Sequence, residues 1–249
     1  MTVPPNASEN PQRNQANPAS APTSRTLPRL LITAGPTHEP IDQVRYIGNR
    51  SSGRLGIALA DEAARQGWSV SLLLGPTSRT PTDSRVRLIR FQSTADLQAR
   101  LSENFPNSDV LIMAAAVADY RPRLSGGEHE GKLKRSASGL TLELEATPDL
   151  LAGCAASKRT GAAPQFVVGF ALEPRSRLIE SGRAKLARKQ LDMIVANPLE
   201  TMDSTCIDAT VMTAAGATRT TDGAIEKERF AAWLLSLITA ARSGASAGA

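Results

Sequence analysis

The chain has few residues that bind metals or form cross-links. Its 249 residues include two cysteines and two histidines. Cys154 and Cys206 lie in no Cys-x-x-Cys or Cys/His spacing, and His38 and His129 are far apart. These spacings argue against a structural zinc site and exclude a histidine-rich metal cage. We therefore expect a disulfide-free protein of the cytoplasm.

Aromatic residues and long apolar runs are also scarce. Aromatics make up 4% of the chain, which argues against stacking platforms for nucleic-acid bases. No run is long enough to cross a bilayer, and no apolar segment of a secretory signal stands at the N-terminus. We expect neither a membrane nor a nucleic acid as partner. The net charge of +5 suits a small anionic ligand as well as it suits nucleic acid.

The two ends differ from the middle. Residues 1–27 are rich in Pro, Asn, Ser and Ala, and this composition predicts a disordered tail because it buries too little apolar surface to offset the entropy of ordering. Residues 243–249 are expected to form a flexible tail. Residues 28–242 form the predicted domain.

Strands and helices alternate through this domain. Strands are predicted at residues 29–34, 70–74, 85–90, 165–171 and 192–197, at the start of 110–118, and as an edge strand at 209–213. Helices are predicted at residues 54–66, 94–103, 175–190 and 225–241. This order predicts an α/β fold with a doubly wound, mainly parallel, Rossmann-like sheet. Ligands of such folds bind at the carboxyl ends of the strands.

Small and polar residues follow the first predicted strand. Gly35 comes directly after it, and the run from Asn49 to Gly53, with Ser51 and Ser52, opens the first helix. Backbone N–H groups and hydroxyls at a helix N-terminus bind phosphate. An ordinary helix capped by Ser51 or Ser52 explains the run equally well. The run is neither a Gly-x-Gly-x-x-Gly fingerprint nor a P-loop.

A second candidate follows the strand that begins at residue 110. The small residues of 113–115 would allow a ligand to approach the backbone closely. Asp119 could hold a ligand hydroxyl or a Mg²⁺-bound water, although capping of a turn explains it as simply.

The lid loop, residues 126–135, is glycine-rich and charged. Lys132 and Lys134 would share one side of an extended segment. The loop is either a solvated surface loop or a lid that brings cations onto phosphates.

Two further segments complete the candidates. Thr147 is predicted to cap a helix that begins at Pro148, and the same helix end can hold an anion. Lys185 and Lys189 lie four residues apart on one face of the basic helix, where a solvated face is the alternative.

The order of these motifs resembles one family. ITAGPTHEPIDQVRYIGNRSSGRLG, AAAVADY, KLKR, TPDLL, VVGFALE and KLARKQLDMIVAN follow one another between residues 29 and 240. Together they resemble the bacterial phosphopantothenate–cysteine ligases. In many bacteria this ligase follows a flavin-dependent decarboxylase. The chain has no room for that second enzyme, so we expect neither decarboxylase activity nor FMN.

The resemblance assigns roles residue by residue. It implies that Asn49 and Lys132 are catalytic. The implied substrate-binding residues are Asn49, Ser51, Ser52, Gly53 and Lys134. The implied nucleotide-binding residues are Gly35, Met113, Ala114, Ala115, Asp119, Lys132, Pro148, Asp149, Leu150, Leu151, Phe170, Lys185 and Lys189. Arg135 departs from the family pattern, which has lysine there, but keeps the charge.

The resemblance also implies a reaction. The carboxylate of 4′-phosphopantothenate attacks the α-phosphate of CTP in the presence of Mg²⁺, pyrophosphate leaves, and an acyl-cytidylate forms. The amine of cysteine then attacks the acyl carbon and CMP leaves. A neutral amide such as Asn49 suits the second step because it can hydrogen-bond the developing oxyanion without titrating. CTP is favoured over ATP on the family pattern alone.

Two other function classes stay open. A nicotinamide-dependent oxidoreductase would share the sheet, but its glycine fingerprint and acidic ribose-binding residue are missing. A non-catalytic nucleotide-binding regulator would lack the lid lysines and Asn49.

The flap, residues 121–146, is too long and polar for a simple connection. Leu140 to Glu145 alternate apolar and polar residues, which predicts an exposed strand. The resemblance implies a homodimer, and pairing of this edge with a second copy would cover it. The alternative is a hairpin that folds back on its own domain.

Overall fold

A computed structural model describes residues 1–2, 27–123, 131–137, 139–161 and 163–246. The strands are β1 (Arg29–Ala34), β2 (His38–Pro40), β3 (Tyr46–Gly48), β4 (Ser69–Leu74), β5 (Arg87–Arg90), β6 (Val110–Met113), β7 (Tyr120–Pro122), β8 (Leu144–Ala146), β9 (Phe166–Glu173), β10 (Met193–Pro198), β11 (Cys206–Ile207), β12 (Thr210–Thr213), β13 (Thr218–Thr220) and β14 (Ile225–Glu226). The helices are α1 (Arg54–Arg65), α2 (Thr94–Asn104), α3 (Leu150–Ala156), α4 (Leu178–Arg188) and α5 (Lys227–Ser246), with short 3₁₀ helices at Phe105–Asn107, Arg175–Arg177 and Leu199–Thr201.

An eight-stranded sheet forms the centre, in the order β13-β12-β10-β9-β6-β1-β4-β5. The strands from β10 to β5 pair in parallel, and β12 and β13 add in antiparallel orientation. The predicted α/β class with a mainly parallel sheet is confirmed. The predicted edge position of residues 209–213 is wrong, because β12 pairs with β10 on one side and with β13 on the other.

Helices cover both faces of this sheet. Side chains of β1 alternate, so that Leu30 and Ile32 pack with α1 and α5 while Leu31 packs with α2, α3 and α4. All three side chains are at most 1% exposed. A sheet buried on both faces explains why its strands read as continuous apolar runs in the sequence.

The first helix lies unusually close to the first strand. A Cβ atom on Gly56 would stand 2.4 Å from the Cβ of Ala34. Only glycine permits this approach, which brings the N-terminus of α1 next to the carboxyl end of β1. Ligand sites of doubly wound folds lie at this end of the sheet.

Two small antiparallel ladders stand at the same end. One pairs β2 with β3, and the other pairs β7 with β8. The β7–β8 pair joins the two ends of the flap within one chain, as the hairpin alternative required. Of the alternating run at 140–145, only Leu144 and Glu145 are in a strand. Within the flap, residues 124–130 and 138 lie outside the described part, and so does most of the 1–27 segment.

The closing helix is longer than expected. α5 continues to Ser246, so residues 243–246 are helical although they were predicted to be a flexible tail. Adding a residue to an existing helix costs far less than starting one, so small residues such as those of this segment can extend α5.

Candidate functional site

The loops after β1 and β6 are joined by backbone hydrogen bonds. The Ala116 N–H donates to the Gly35 carbonyl at 2.9 Å, and the Thr37 N–H donates to the Ala116 carbonyl at 3.2 Å. The Thr37 hydroxyl accepts a bond from the Ala118 N–H at 2.9 Å. These bonds place Gly35 and the predicted nucleotide-binding segment 113–119 side by side at the carboxyl edge of the sheet.

The N-terminus of α1 has no side-chain cap. The N-cap residue is Gly53, at φ 71°, and neither Ser51 nor Ser52 caps the helix. The interpretation of these serines as caps is therefore wrong. Gly53 occupies the N-cap position with a left-handed backbone conformation, and the chain before it changes direction there. The first N–H groups of α1 are left available to an anion at the positive end of the helix.

Asn49 lies next to the loop that follows β6. Its Nδ2 donates to the Val117 carbonyl at 2.9 Å, and its side chain is exposed. The amide keeps a second N–H and an oxygen for other partners. Asn49 is therefore anchored by one bond and can offer a neutral donor at the mouth of the site.

The segment from Met113 to Asp119 is tightly held but open at its end. Ala114 and Ala115 are half-buried, and the Ala115 N–H donates to the Thr33 hydroxyl at 3.2 Å. Among the described residues, the exposed carboxylate of Asp119 caps no turn. The turn-capping interpretation therefore gains no support here.

The start of α3 differs from the prediction. Asp149, not Thr147, is the N-cap, and its Oδ1 accepts the Ala152 N–H at 3.0 Å. The helix begins at Leu150, so Pro148 lies before the cap instead of in the first turn. The Thr147 hydroxyl donates to the Ala118 carbonyl at 2.6 Å and is thus committed to the loop after β6.

The two lysines of α4 turn towards this helix start. Lys189 Nζ lies 2.7 Å from Asp149 Oδ2, and Lys185 Nζ donates to the Phe170 carbonyl at 2.7 Å. Burial, followed by the charge of Lys189, lowers the pKa of Lys185, and the acidic groups nearby only partly compensate. The alternative of a solvated face does not hold for these two lysines, because Lys185 is largely buried and Lys189 is paired.

Asp149 has a lowered pKa. Burial alone would raise its pKa, but the hydrogen bonds from Lys189 and from the Ala152 N–H outweigh that cost. The carboxylate therefore stays charged beside the two lysines. An incoming polyphosphate would compete with it for the same cations.

The described end of the lid loop lies against the β2–β3 hairpin. Lys132 and Lys134 are exposed, and the Leu133 N–H between them donates to Asp42 at 3.0 Å. Asp42 and its partner Arg45 were not among the sequence-predicted site residues. Their signal was an Asp and an Arg three residues apart inside the first motif, but the contact partner lies 91 positions away from Asp42.

A cavity of about 400 Å³ borders the predicted nucleotide-binding residues. It lies between α2 and α3, with Pro148, Asp149 and Leu150 on one side and Leu101 and Phe105 on the other. A cavity of about 510 Å³ lies along α1 and contacts none of the predicted site residues. Of these two cavities, the smaller one adjoins the candidate site.

Two negative findings apply to the described residues alone. No cluster of three or more His, Cys, Asp or Glu side chains that could hold a metal ion occurs among them. None of the helices in the described ranges is long and apolar enough to span a membrane.

Comparison with known proteins connects this geometry to a family. Residues 27–241 match the family described as the DNA/pantothenate metabolism flavoprotein C-terminal domain. The chain belongs to this family. The match covers the central sheet, its flanking helices and every predicted site residue, and it agrees with the resemblance found in the motifs.

Curated relatives are longer than this chain. The coenzyme A biosynthesis bifunctional protein CoaBC of Mycobacterium tuberculosis is 41% identical over 175 residues, which cover 68% of this chain and 41% of that protein. A protein from an unknown prokaryotic organism, named cysteine/cysteine sulfinic acid decarboxylase, is 43% identical over 172 residues, which cover 69% of this chain and 46% of its own. The matched part of this chain thus spans less than half the length of both relatives.

Solved structures share the fold. The crystal structure of the C-terminal domain of a CoaBC protein aligns with a TM-score of 0.71 at 34% identity and covers 86% of this chain and 96% of that chain. This chain therefore corresponds to almost the whole of that domain.

Proposed function

We propose that the chain is a phosphopantothenate–cysteine ligase that uses CTP. The observation that carries this proposal is that three groups are bonded to, or start from, loops and strand ends at the carboxyl edge of the sheet. Asn49 is bonded to the Val117 carbonyl, the uncapped start of α1 lies beside it, and Lys185 and Lys189 approach from α4. The family membership and the similarity to the CoaBC C-terminal domain support the same reaction.

The cations suit the first chemical step. Attack of the 4′-phosphopantothenate carboxylate on the α-phosphate of CTP builds negative charge on the phosphate oxygens as pyrophosphate leaves. Lys185 and Lys189, with Lys132 from the lid loop, would neutralise that charge. The positive end of α1 would hold an anionic group of the substrate, with Ser51, Ser52 and Gly53 lining the approach.

Asn49 suits the second step. The amine of cysteine attacks the acyl carbon, an oxyanion develops there, and the bond from that carbon to the CMP oxygen breaks. An amide N–H stabilises the oxyanion without changing its own charge. A lysine in this position would bind the anionic intermediate as tightly as the transition state and would accelerate the step less.

Mg²⁺ fits the site only as a companion of the triphosphate. Mg²⁺ commonly keeps several waters and binds through one or two carboxylates together with substrate phosphates. The exposed carboxylate of Asp119 is the protein group that fits this role. When bound, Mg²⁺ would offset phosphate charge in the first step.

A homodimer is part of the proposal. Tyr120, Leu140 and Leu144 are 57%, 58% and 45% exposed, and all three belong to or adjoin the β7–β8 ladder. A second copy placed over this ladder through a two-fold axis would cover those side chains.

One assay tests the reaction. The purified chain is incubated with 4′-phosphopantothenate, Mg²⁺ and CTP or ATP, with and without cysteine, and pyrophosphate and products are measured. We expect pyrophosphate release that requires phosphopantothenate, with 4′-phosphopantothenoylcysteine formed when cysteine is present. Triphosphate hydrolysis without that product would leave a nucleotide-binding regulator as the better account.

A further inference from the structure

The described end of the lid loop, residues 131–135, is bonded to a buried carboxylate of the β2–β3 turn. Asp42 lies in the turn between β2 and β3, and its side chain has 0% exposure. Its Oδ1 accepts the N–H groups of Val44 and Arg45, both at 2.8 Å. Its Oδ2 accepts the Arg45 side chain and, at 3.0 Å, the Leu133 N–H.

The two oxygens of Asp42 have separate tasks. Oδ1 closes the turn by binding backbone N–H groups two and three residues further on, which is a local arrangement that aspartate commonly makes. Oδ2 points to the lid loop, where Arg45 also donates to the Leu133 carbonyl at 3.2 Å. The backbone of Leu133 is thus bonded on both its N–H and its carbonyl.

This placement bears on the two lid lysines. Lys132 and Lys134 flank Leu133, and both side chains are exposed. Because Lys132 and Lys134 are the direct neighbours of Leu133, fixing the backbone at Leu133 restrains the positions from which both cations emerge.

We propose that Asp42 is a positioning residue that holds the lid loop at Leu133 and thereby presents Lys132 and Lys134 to the triphosphate. Arg45 keeps Asp42 ionised, since its side chain, followed by the backbone N–H groups, holds the pKa of that carboxyl far below its usual range despite burial. The part concerning the triphosphate rests on the proposed ligase function, whereas the placement of the loop does not.

Asp42→Asn separates the two tasks. Asparagine keeps one acceptor oxygen for the turn and puts an NH₂ group where Oδ2 faced two donors. The matched control is Asp83→Asn. Asp83 accepts the backbone N–H of Arg85 at 3.0 Å and its side chain at 2.6 Å, so it is the same kind of acid–arginine turn, away from the lid loop.

Amide hydrogen exchange gives a readout that does not depend on activity. In Asp42→Asn we expect the Leu133 amide to exchange about 10- to 100-fold faster, the change that loss of one charge-assisted hydrogen bond produces. Asp83→Asn should leave it unchanged. Unchanged exchange at Leu133 in a folded Asp42→Asn protein would overturn the proposal.

Kinetics test the consequence for the site. If the lid loop is in its CTP-binding position for only a fraction of the time, the apparent affinity for CTP is the intrinsic affinity multiplied by that fraction. The KM for CTP should therefore rise by about the same factor as the exchange rate, with kcat approached at saturation. Faster exchange without any change in KM would contradict the link between the loop and the triphosphate.

A second variant keeps the test decisive if Asp42→Asn does not fold. Leu133→Pro removes the backbone donor, fixes φ at that position and leaves the β2–β3 turn with all of its own bonds. We expect faster exchange at residues 134–137 and the same rise in KM. A wild-type chain that makes no product would refute the ligase function, and the exchange data would still decide the placement of the loop.

Discussion

Replacing Asn49 by Asp would separate the two chemical steps. The substitution removes an N–H donor and puts a carboxylate oxygen against the Val117 carbonyl, where Nδ2 stands at 2.9 Å. The first step does not need this donor, so acyl-cytidylate should still form. The second step loses the donor to its oxyanion, which slows it about 10²- to 10³-fold.

The structural cost of the same change is small. The lost bond to Val117 is exposed, and an ordinary hydrogen bond contributes about 0.5–1.5 kcal/mol. In a domain of this size that corresponds to a fall in Tm of only about 1–6 °C. Activity and stability should therefore change by very different amounts.

Asn104→Asp is the matched control. Asn104 Nδ2 donates to the Arg100 carbonyl at 2.8 Å on α2, so the variant meets the same carbonyl repulsion away from the site. Rapid quench with mass spectrometry should show acyl-cytidylate accumulating in Asn49→Asp only. If Asn49→Asp never forms the intermediate while remaining folded, Asn49 acts in the first step and the reasoning above fails.

Four further outcomes are expected. Lys132→Ala should keep a wild-type Tm and lose most activity, because an exposed side chain in the lid loop contributes little to the core; a large fall in Tm would show a structural role instead. Light scattering coupled to size exclusion should give twice the chain mass. If Lys132 also serves the partner's site, mixing the Asn49→Ala and Lys132→Ala proteins under conditions of subunit exchange should restore activity. A thiol reagent near pH 8 should modify half-buried Cys206 well before Cys154, whose pKa burial raises to about 11, as peptide mass mapping would show; equal rates would contradict this. The pairing with Lys189 lowers the pKa of Asp149, so it stabilises the fold at pH values above the unfolded pKa of about 3.9 and is lost as the pH falls through the folded pKa. The amount by which Lys189→Met lowers the Tm should therefore shrink from pH 6 to pH 3. A Tm difference that does not change with pH would rule out this pair.

The sequence predicts the central sheet well because its strands are buried on both faces. Five of its strands are mostly apolar in sequence because most of their side chains are buried: β1, β4, β6, β9 and β10. The outer strand β13 has the sequence Thr-Arg-Thr, which carries no such pattern, and β12 was therefore taken for the edge.

The candidate site was predicted less completely, for reasons of tertiary structure. Its residues were proposed because they follow strands and resemble family motifs. The helix caps were wrong because the Thr147 hydroxyl is committed to the Ala118 carbonyl and Gly53 replaces a serine cap. Asp42 was missed because its bond to Leu133 joins distant parts of the chain, and no local pattern reports such a contact.

Oxygen labelling of the substrate tests the central claim most directly. 4′-Phosphopantothenate carrying ¹⁸O in both oxygens of its carboxylate is turned over with CTP and cysteine, and the nucleotide and pyrophosphate products are analysed by mass spectrometry. Attack on the α-phosphate, followed by cleavage at the acyl carbon, transfers one labelled oxygen to CMP. We predict one ¹⁸O in CMP and none in pyrophosphate. Label in pyrophosphate or inorganic phosphate, or product formed with unlabelled CMP, would contradict activation through an acyl-cytidylate.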